Sequence, residues 1–179
     1  RRLDGAIRDA VSAVCDAEAL LADVADMRQR LNTEHGSKSL WALKNLRGGI
    51  VDIEFIAQYM TLLHANEHPE ILGRDTRDTL AALIEAGLLD RDSGDTLIDA
   101  SGLWQGLQGL LALTIEGEIT EERIKEIPSA LKEDLVRVGG GADFTALEDN
   151  IRATAQAVYA IFKDLIEDPA GEIEKEKNP

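Results

Sequence analysis

Apolar residues recur at three- and four-residue intervals along most of this chain and nowhere alternate long enough to make a strand, so the pattern predicts an all-α protein. Leu3, Ile7, Val11, Val14, Leu21, Val24 and Leu31 share one stripe. They predict a long helix over Leu3 to Leu31, which at about 1.5 Å per residue would extend roughly 43 Å. Asn32 to Ser39, containing Gly36 and Ser37, breaks it. A second helix is predicted from Ile50 and ends before Pro69, because proline disfavours helical backbone in the residue ahead of it. A third runs from Asp75 as N-cap, with Asp78 in its first turn, to a stop at Gly87. Asp90 to Gly94 reads as a polar turn. The helix expected after it, Asp95 to Ile115, carries Gly102, Gly106 and Gly109, each costing about 1 kcal/mol relative to Ala unless close packing requires it. Pro128 opens a short helix that stops at Gly139-Gly140-Gly141. Asp143 caps a last helix that turns Leu147, Ile151, Ala155, Val158, Phe162 and Leu165 inward and ends at Pro169. The expected architecture is an antiparallel bundle of five or six helices over residues 1–168 with one long N-terminal helix, then a charged flexible tail over 169–179.

The second helix stands apart. At the 3.6-residue period its apolar residues cover most of the circumference and leave Glu54, Gln58 and Thr61 as a narrow polar stripe, so it is expected to be largely buried. Asp52 falls inside the apolar arc, where an unpaired carboxylate is costly. Two partners are open to it. With Gly49 as N-cap, Asp52 sits at the third helical position and can reach back to free amides. Alternatively it pairs with Lys44 or Arg47 and fixes that cation toward a phosphate. Glu54 projects about 160° away, so the two carboxylates cannot share a metal on regular helix.

A chain of 179 residues suits one domain with a real core. The net charge of −15, from 19 basic and 34 acidic residues, argues against a general nucleic-acid binder. The apolar runs are too short for a membrane span, and there is no signal-peptide pattern. The single cysteine, Cys15, excludes an internal disulfide, fits a reducing cytoplasm and is expected to be a small buried residue. The chain opens on Arg in the middle of a helical pattern, as expected of a piece of a longer protein. Against the acidic background, Arg28, Arg30, Lys38, Lys44 and Arg47 face Glu34 alone, a local sum of +4 that leads straight into Gly48-Gly49. A helix start presents unpaired N–H groups and partial positive charge. Lys44, Arg47, Gly48 and Gly49 are therefore expected to receive an anion, the alternative being a solvated face balanced by distant acids.

Other motifs carry less. His64-Ala65-Asn66-Glu67-His68 matches the H-x-x-E-H string of zinc hydrolases, but Pro69 frays the turn that must hold His68, so the segment reads as a helix end. Gly36-Ser37 followed by Asp52-x-Glu54 imitates the signature of nucleotidyltransferases. That chemistry needs its paired acids on a strand, where alternate residues project to the same side. Trp41 and Trp104 are read as core anchors.

Lys44 to Tyr59, KNLRGGIVDIEFIAQY, resembles the basic, Gly-Gly, D-I-E-F segment of the helical domain that follows each nucleotidyltransferase domain in glutamine synthetase adenylyltransferase. Related helical domains occur in the PII uridylyltransferases. The resemblance extends to the preceding long helix, the helix end at Leu63 to Pro69 and the spacing of Leu147, Val158 and Phe162. It implies a bifunctional parent enzyme that transfers AMP from ATP, with Mg²⁺, to a tyrosine of glutamine synthetase and reverses this under control of PII protein and glutamine. Lys44, Arg47, Gly48, Gly49, Asp52 and Glu54 match the helical-domain motif and are expected to help close the nucleotide cleft. The metal-binding acids belong to an upstream nucleotidyltransferase domain, so this chain would be inactive alone and hold no cofactor tightly. The acidic end of the chain resembles the enzyme's C-terminus and hence its adenylylating half. A departure falls at Leu103 to Leu113, where relatives carry Arg and His and this chain has Trp104, Gln105, Gly106 and Gln108. A different expectation from the same residues is a bundle that docks PII or glutamine synthetase without touching nucleotide.

Overall fold

The computed structural model of the protein describes residues 16–37, 39–73, 75–115 and 119–177, excepting the side chains at 121 and 177. The first part of the expected N-terminal helix, with Cys15, and Lys38 of the basic segment lie outside the described residues. Every regular element among the described residues is helical: α1 (Ala17–His35), α2 (Ile50–His64), a 3₁₀ turn (Pro69–Ile71), α3 (Thr76–Glu85), α4 (Arg91–Thr114), α5 (Glu121–Glu126), α6 (Ser129–Gly139), α7 (Phe144–Phe162), a π-turn (Lys163–Glu167) and α8 (Asp168–Lys177). The all-α bundle expected from the periodicity is what the chain forms.

At its centre lies α2, which packs against α1, α3, α4 and α7. That position follows from its nearly continuous apolar surface: Ile53, Ile56, Ala57, Tyr59 and Met60 are all buried. The other helices meet it with one stripe each. On α4 the stripe is Leu97, Ala100, Trp104, Leu107 and Leu111; on α7 it is Leu147, Ile151, Ala155, Val158 and Phe162. Trp41 and Trp104, 2% and 0% exposed, anchor the core as expected, Trp41 stacking on Phe144 at 5.2 Å between ring centroids.

Four boundaries differ from the sequence expectation. The long helix does not run unbroken from Leu3: Asp16 has extended backbone and its carboxylate accepts from the amides of Glu18 and Ala19, so α1 begins at Ala17. It also continues through the expected break to His35. Asp90 to Gly94 is not a turn. Asp90 caps α4 through the Ser93 amide at 2.9 Å, and Gly94 lets Ile84 of α3 approach so closely that an added Cβ would lie 2.4 Å from it. The last helix does not stop at Pro169. The π-turn, closed by Asp168 N–H to the Lys163 carbonyl, moves the carbonyl row that the proline ring would strike, and helical backbone resumes as α8. In the stretch expected as a charged tail, residues 168–177 are helical: Ala170 and Ile173 pack on the core while Glu172, Glu174 and Glu176 face outward. In the π-turn it is Ile166 that is fully buried, with Leu165 half-buried beside it.

Candidate functional site

The start of α2 is built from three layers of the chain. Residues 39–49 fold as successive turns, and the carbonyls of Leu43 and Lys44 reach forward to accept from Ile50 N–H at 3.0 Å and Val51 N–H at 3.2 Å. Gly49 N–H donates to the Leu46 carbonyl at 2.8 Å. Gly48 has φ +80°, and a Cβ there would lie 1.8 Å from the Ala155 carbonyl of α7. Only glycine gives this backbone both its handedness and its contact. Trp104 of α4 closes the back by donating Nε1–H to the Gly48 carbonyl at 3.1 Å.

Asp52 lies under this turn with 0% exposure. Its Oδ1 accepts from Arg28 Nε of α1 and, at 3.5 Å, from Arg47 Nη1; its Oδ2 accepts from the Gly48 amide. Three donors on one buried carboxylate offset its desolvation. Both expected partners are therefore engaged, its own helix end and Arg47, and Arg28 is a third. Arg28 belongs in sequence to the basic segment, yet it is only 2% exposed. The spacing carried the signal: Leu21, Val24 and Leu31 leave a gap in the 3-4-3 stripe of α1, and position 28 fills it.

Arg47 turns inward as well. Its Nη2 pairs with Glu167 Oε1 in the π-turn, and its guanidinium lies 4.5 Å from the Tyr159 ring centroid and 5.0 Å from that of Phe162. Tyr159 O–H donates to Glu167 Oε2 at 3.0 Å. The expected anion-receiving mouth is thus closed by the protein's own groups. Gly48 and Gly49 are buried, their amides have acceptors, and Arg47 belongs to a salt-bridge network joining α2 to the chain's last helices.

Arg47 keeps 21% of its side chain exposed, and two more of the singled-out residues are accessible. Lys44 is exposed and Glu54 half-buried, and both border a cleft of about 360 Å³ between α1 and the start of α2. Asp52 and Glu54 do not combine into a magnesium site: one is enclosed by its donors, the other faces this cleft. Among the described residues no group of three or more His, Cys, Asp or Glu is arranged to hold a metal. His68 Nδ1 lies 2.9 Å from Glu70 Oε1, while burial, with the charge of His68 acting in the same sense, lowers the pKa of His64 against a smaller opposing effect of Glu67.

A model of the family described as GlnD PII-uridylyltransferase matches residues 18–166, which takes in Arg28, Asp52 and the Gly48-Gly49 turn. The chain belongs to that family. Among its relatives are proteins named bifunctional glutamine synthetase adenylyltransferase/adenylyl-removing enzyme. That of Xanthobacter autotrophicus is 36% identical over 92% of this chain and 17% of its own length. Those of Bradyrhizobium sp. and Rhodopseudomonas palustris are 35% and 36% identical over 93% and 92% of this chain, and over 16% of their own length in both cases. The chain therefore spans about a sixth of the curated relatives it matches. No solved structure matches it. No helix among the described residues is long and apolar enough to cross a membrane.

Proposed function

We propose that this family member is the helical domain of a bifunctional glutamine synthetase adenylyltransferase, and that in the whole enzyme it closes the nucleotide cleft of an adjoining nucleotidyltransferase domain. The reaction it serves is AMP transfer from ATP to a tyrosine of glutamine synthetase, in the cytoplasm, under control of PII protein. ATP and Mg²⁺ are held by the adjoining domain. The observation that carries this reading is the similarity to adenylyltransferases over about nine-tenths of the chain.

In this reading the residues of the motif have different tasks. Arg28, Asp52, Gly48 and Trp104 fix the 39–49 turns from behind, and Arg47 ties them to α7 and the π-turn. Lys44 is the cation that this rigid support presents outward, with Glu54 beside it. A cation whose backbone is fixed at a cleft edge is placed to meet transferring phosphoryl charge. The test is adenylyl transfer by the whole enzyme carrying Lys44→Ala. Loss of about tenfold or more in kcat/KM with an unchanged melting temperature is the expected result. An unchanged rate removes the cleft-closing role and leaves a bundle that only docks PII or glutamine synthetase.

A further inference from the structure

We infer that α1 and α2 together form a docking shelf for a helix of the adjoining domain, an inference that rests on the reading above. A helix with one packed side needs one apolar stripe, and α1 carries two. Leu21, Ala25 and Arg28 turn toward the rest of the bundle, with Leu21 and Arg28 buried. Leu20, Val24, Met27 and Leu31 form the second stripe, at the 4-3-4 spacing that suits a seam with another helix. Leu20, Val24 and Leu31 are half-buried, and Met27 is 57% exposed. The exposed charges Asp23, Arg30 and Glu34 lie beyond this stripe and rim it.

The shelf continues onto α2. Val51, Phe55 and Leu62 share one side of that helix, Val51 and Phe55 half-buried and Leu62 exposed. Leu31, Val51 and Phe55 line the same cleft as Lys44 and Glu54. Of the four large apolar residues that are exposed among the described ones, Met27 and Leu62 both stand here. Such residues scattered singly mean little, but a contiguous apolar stretch rimmed by charge marks an interaction surface. Two observations choose its occupant. The chain spans about a sixth of the length of its relatives, so most of a protein of their kind lies outside it. A domain joined covalently is present at high effective concentration, and a shelf of modest apolar area then suffices to hold it. The seam spacing on α1, beside a second helix that walls the valley, fits a helix laid in a groove. Docked there, the adjoining domain has its edge at Lys44.

Met27 and Met60 are the chain's two methionines, one on the shelf and one 5% exposed in the core, so thioether oxidation reads the shelf directly. The 179-residue chain and the whole enzyme are treated with hydrogen peroxide under native conditions, and peptide mass spectrometry follows the sulfoxide at each position. In the chain alone Met27 should oxidise fast and Met60 slowly. In the whole enzyme Met27 should slow by about tenfold or more. Leu31→Met, a change that keeps side-chain volume, adds a second probe on the stripe and should be slowed likewise. Leu113→Met, at a position on α4 that is 87% exposed, should oxidise equally in both proteins. Equal Met27 rates in the two proteins overturn the shelf, as does a slowing at Leu113→Met as large as at Met27. Slow oxidation of Met27 in the chain alone also overturns it, because a second copy or residues 1–15 then cover the stripe. The transfer assay with Lys44→Ala decides the cleft-closing role separately: activity lost there with Met27 unprotected keeps that role and removes only the docking face.

Discussion

The carboxylate of Asp52 is held by the guanidinium of Arg28, 24 positions earlier in the chain, with both side chains almost wholly shielded from water. This one contact joins α1 to α2 and, through the Gly48 amide on the other carboxylate oxygen, fixes the turn between them. A buried pair of this kind contributes little net stability against an apolar replacement, but losing one member strands the other.

Asp52→Ala and Arg28→Ala are therefore each expected to lower stability by about 3–5 kcal/mol. The double replacement Arg28→Met with Asp52→Leu should cost clearly less than the sum of the two. Urea unfolding of the three variants measures the coupling, and additive losses would mean that the pair is not a unit.

Two glycines with left-handed backbone separate strain from crowding. Gly87, at φ +71°, has nothing within 4 Å of an added Cβ, whereas at Gly48, φ +80°, the Ala155 carbonyl would be 1.8 Å away. Gly87→Ala should cost about 1–2 kcal/mol, the left-handed penalty alone. Gly48→Ala should cost several times more, because α7 must move away from the start of α2. Equal losses in thermal unfolding would place α7 elsewhere.

Arg47 holds the π-turn through Glu167 and covers Tyr159 and Phe162. Removing it in Arg47→Ala should speed hydrogen exchange across residues 163–177 by about tenfold or more while leaving the interior of α4 unchanged. Uniform acceleration would show that the last helices are not a separately loosened unit.

Burial lowers the pKa of His64 from its ordinary 6.5, an effect the charge of His68 adds to and Glu67 opposes. The unfolded chain then binds the proton more readily than the folded one as pH falls through 6.5. Stability should be fully present above that value and decline below it, and His64→Gln should flatten this part of the curve. Unfolding midpoints from pH about 5 to 8 show whether it does.

The fold was legible where one stripe of side chains decides burial. The residues Leu147, Ile151, Ala155, Val158 and Phe162 fixed α7 because nothing local competes with that pattern. The misread boundaries all turn on a contact from elsewhere in the chain or on a hydrogen bond of a few residues' span. Asp90 reads equally as turn or cap until Gly94 meets Ile84, and Pro169 reads as a stop until a π-turn precedes it. At the candidate site, the importance of Asp52 is visible from its place in an apolar arc, but its partner on α1 is not. Arg28 looks like a solvent-facing cation beside Arg30 unless its position is counted into the stripe of α1. The same contact explains why the Gly-Gly turn, which resembles an anion cradle in sequence, is a sealed joint in the structure.

Hydrogen exchange at the Gly48, Ile50 and Val51 amides is the most direct measure of that joint. Strong protection, about a thousandfold or more over the open chain and unchanged when inorganic phosphate is added, is expected. Amides that exchange freely and become protected only with phosphate would show an open anion cradle and contradict it.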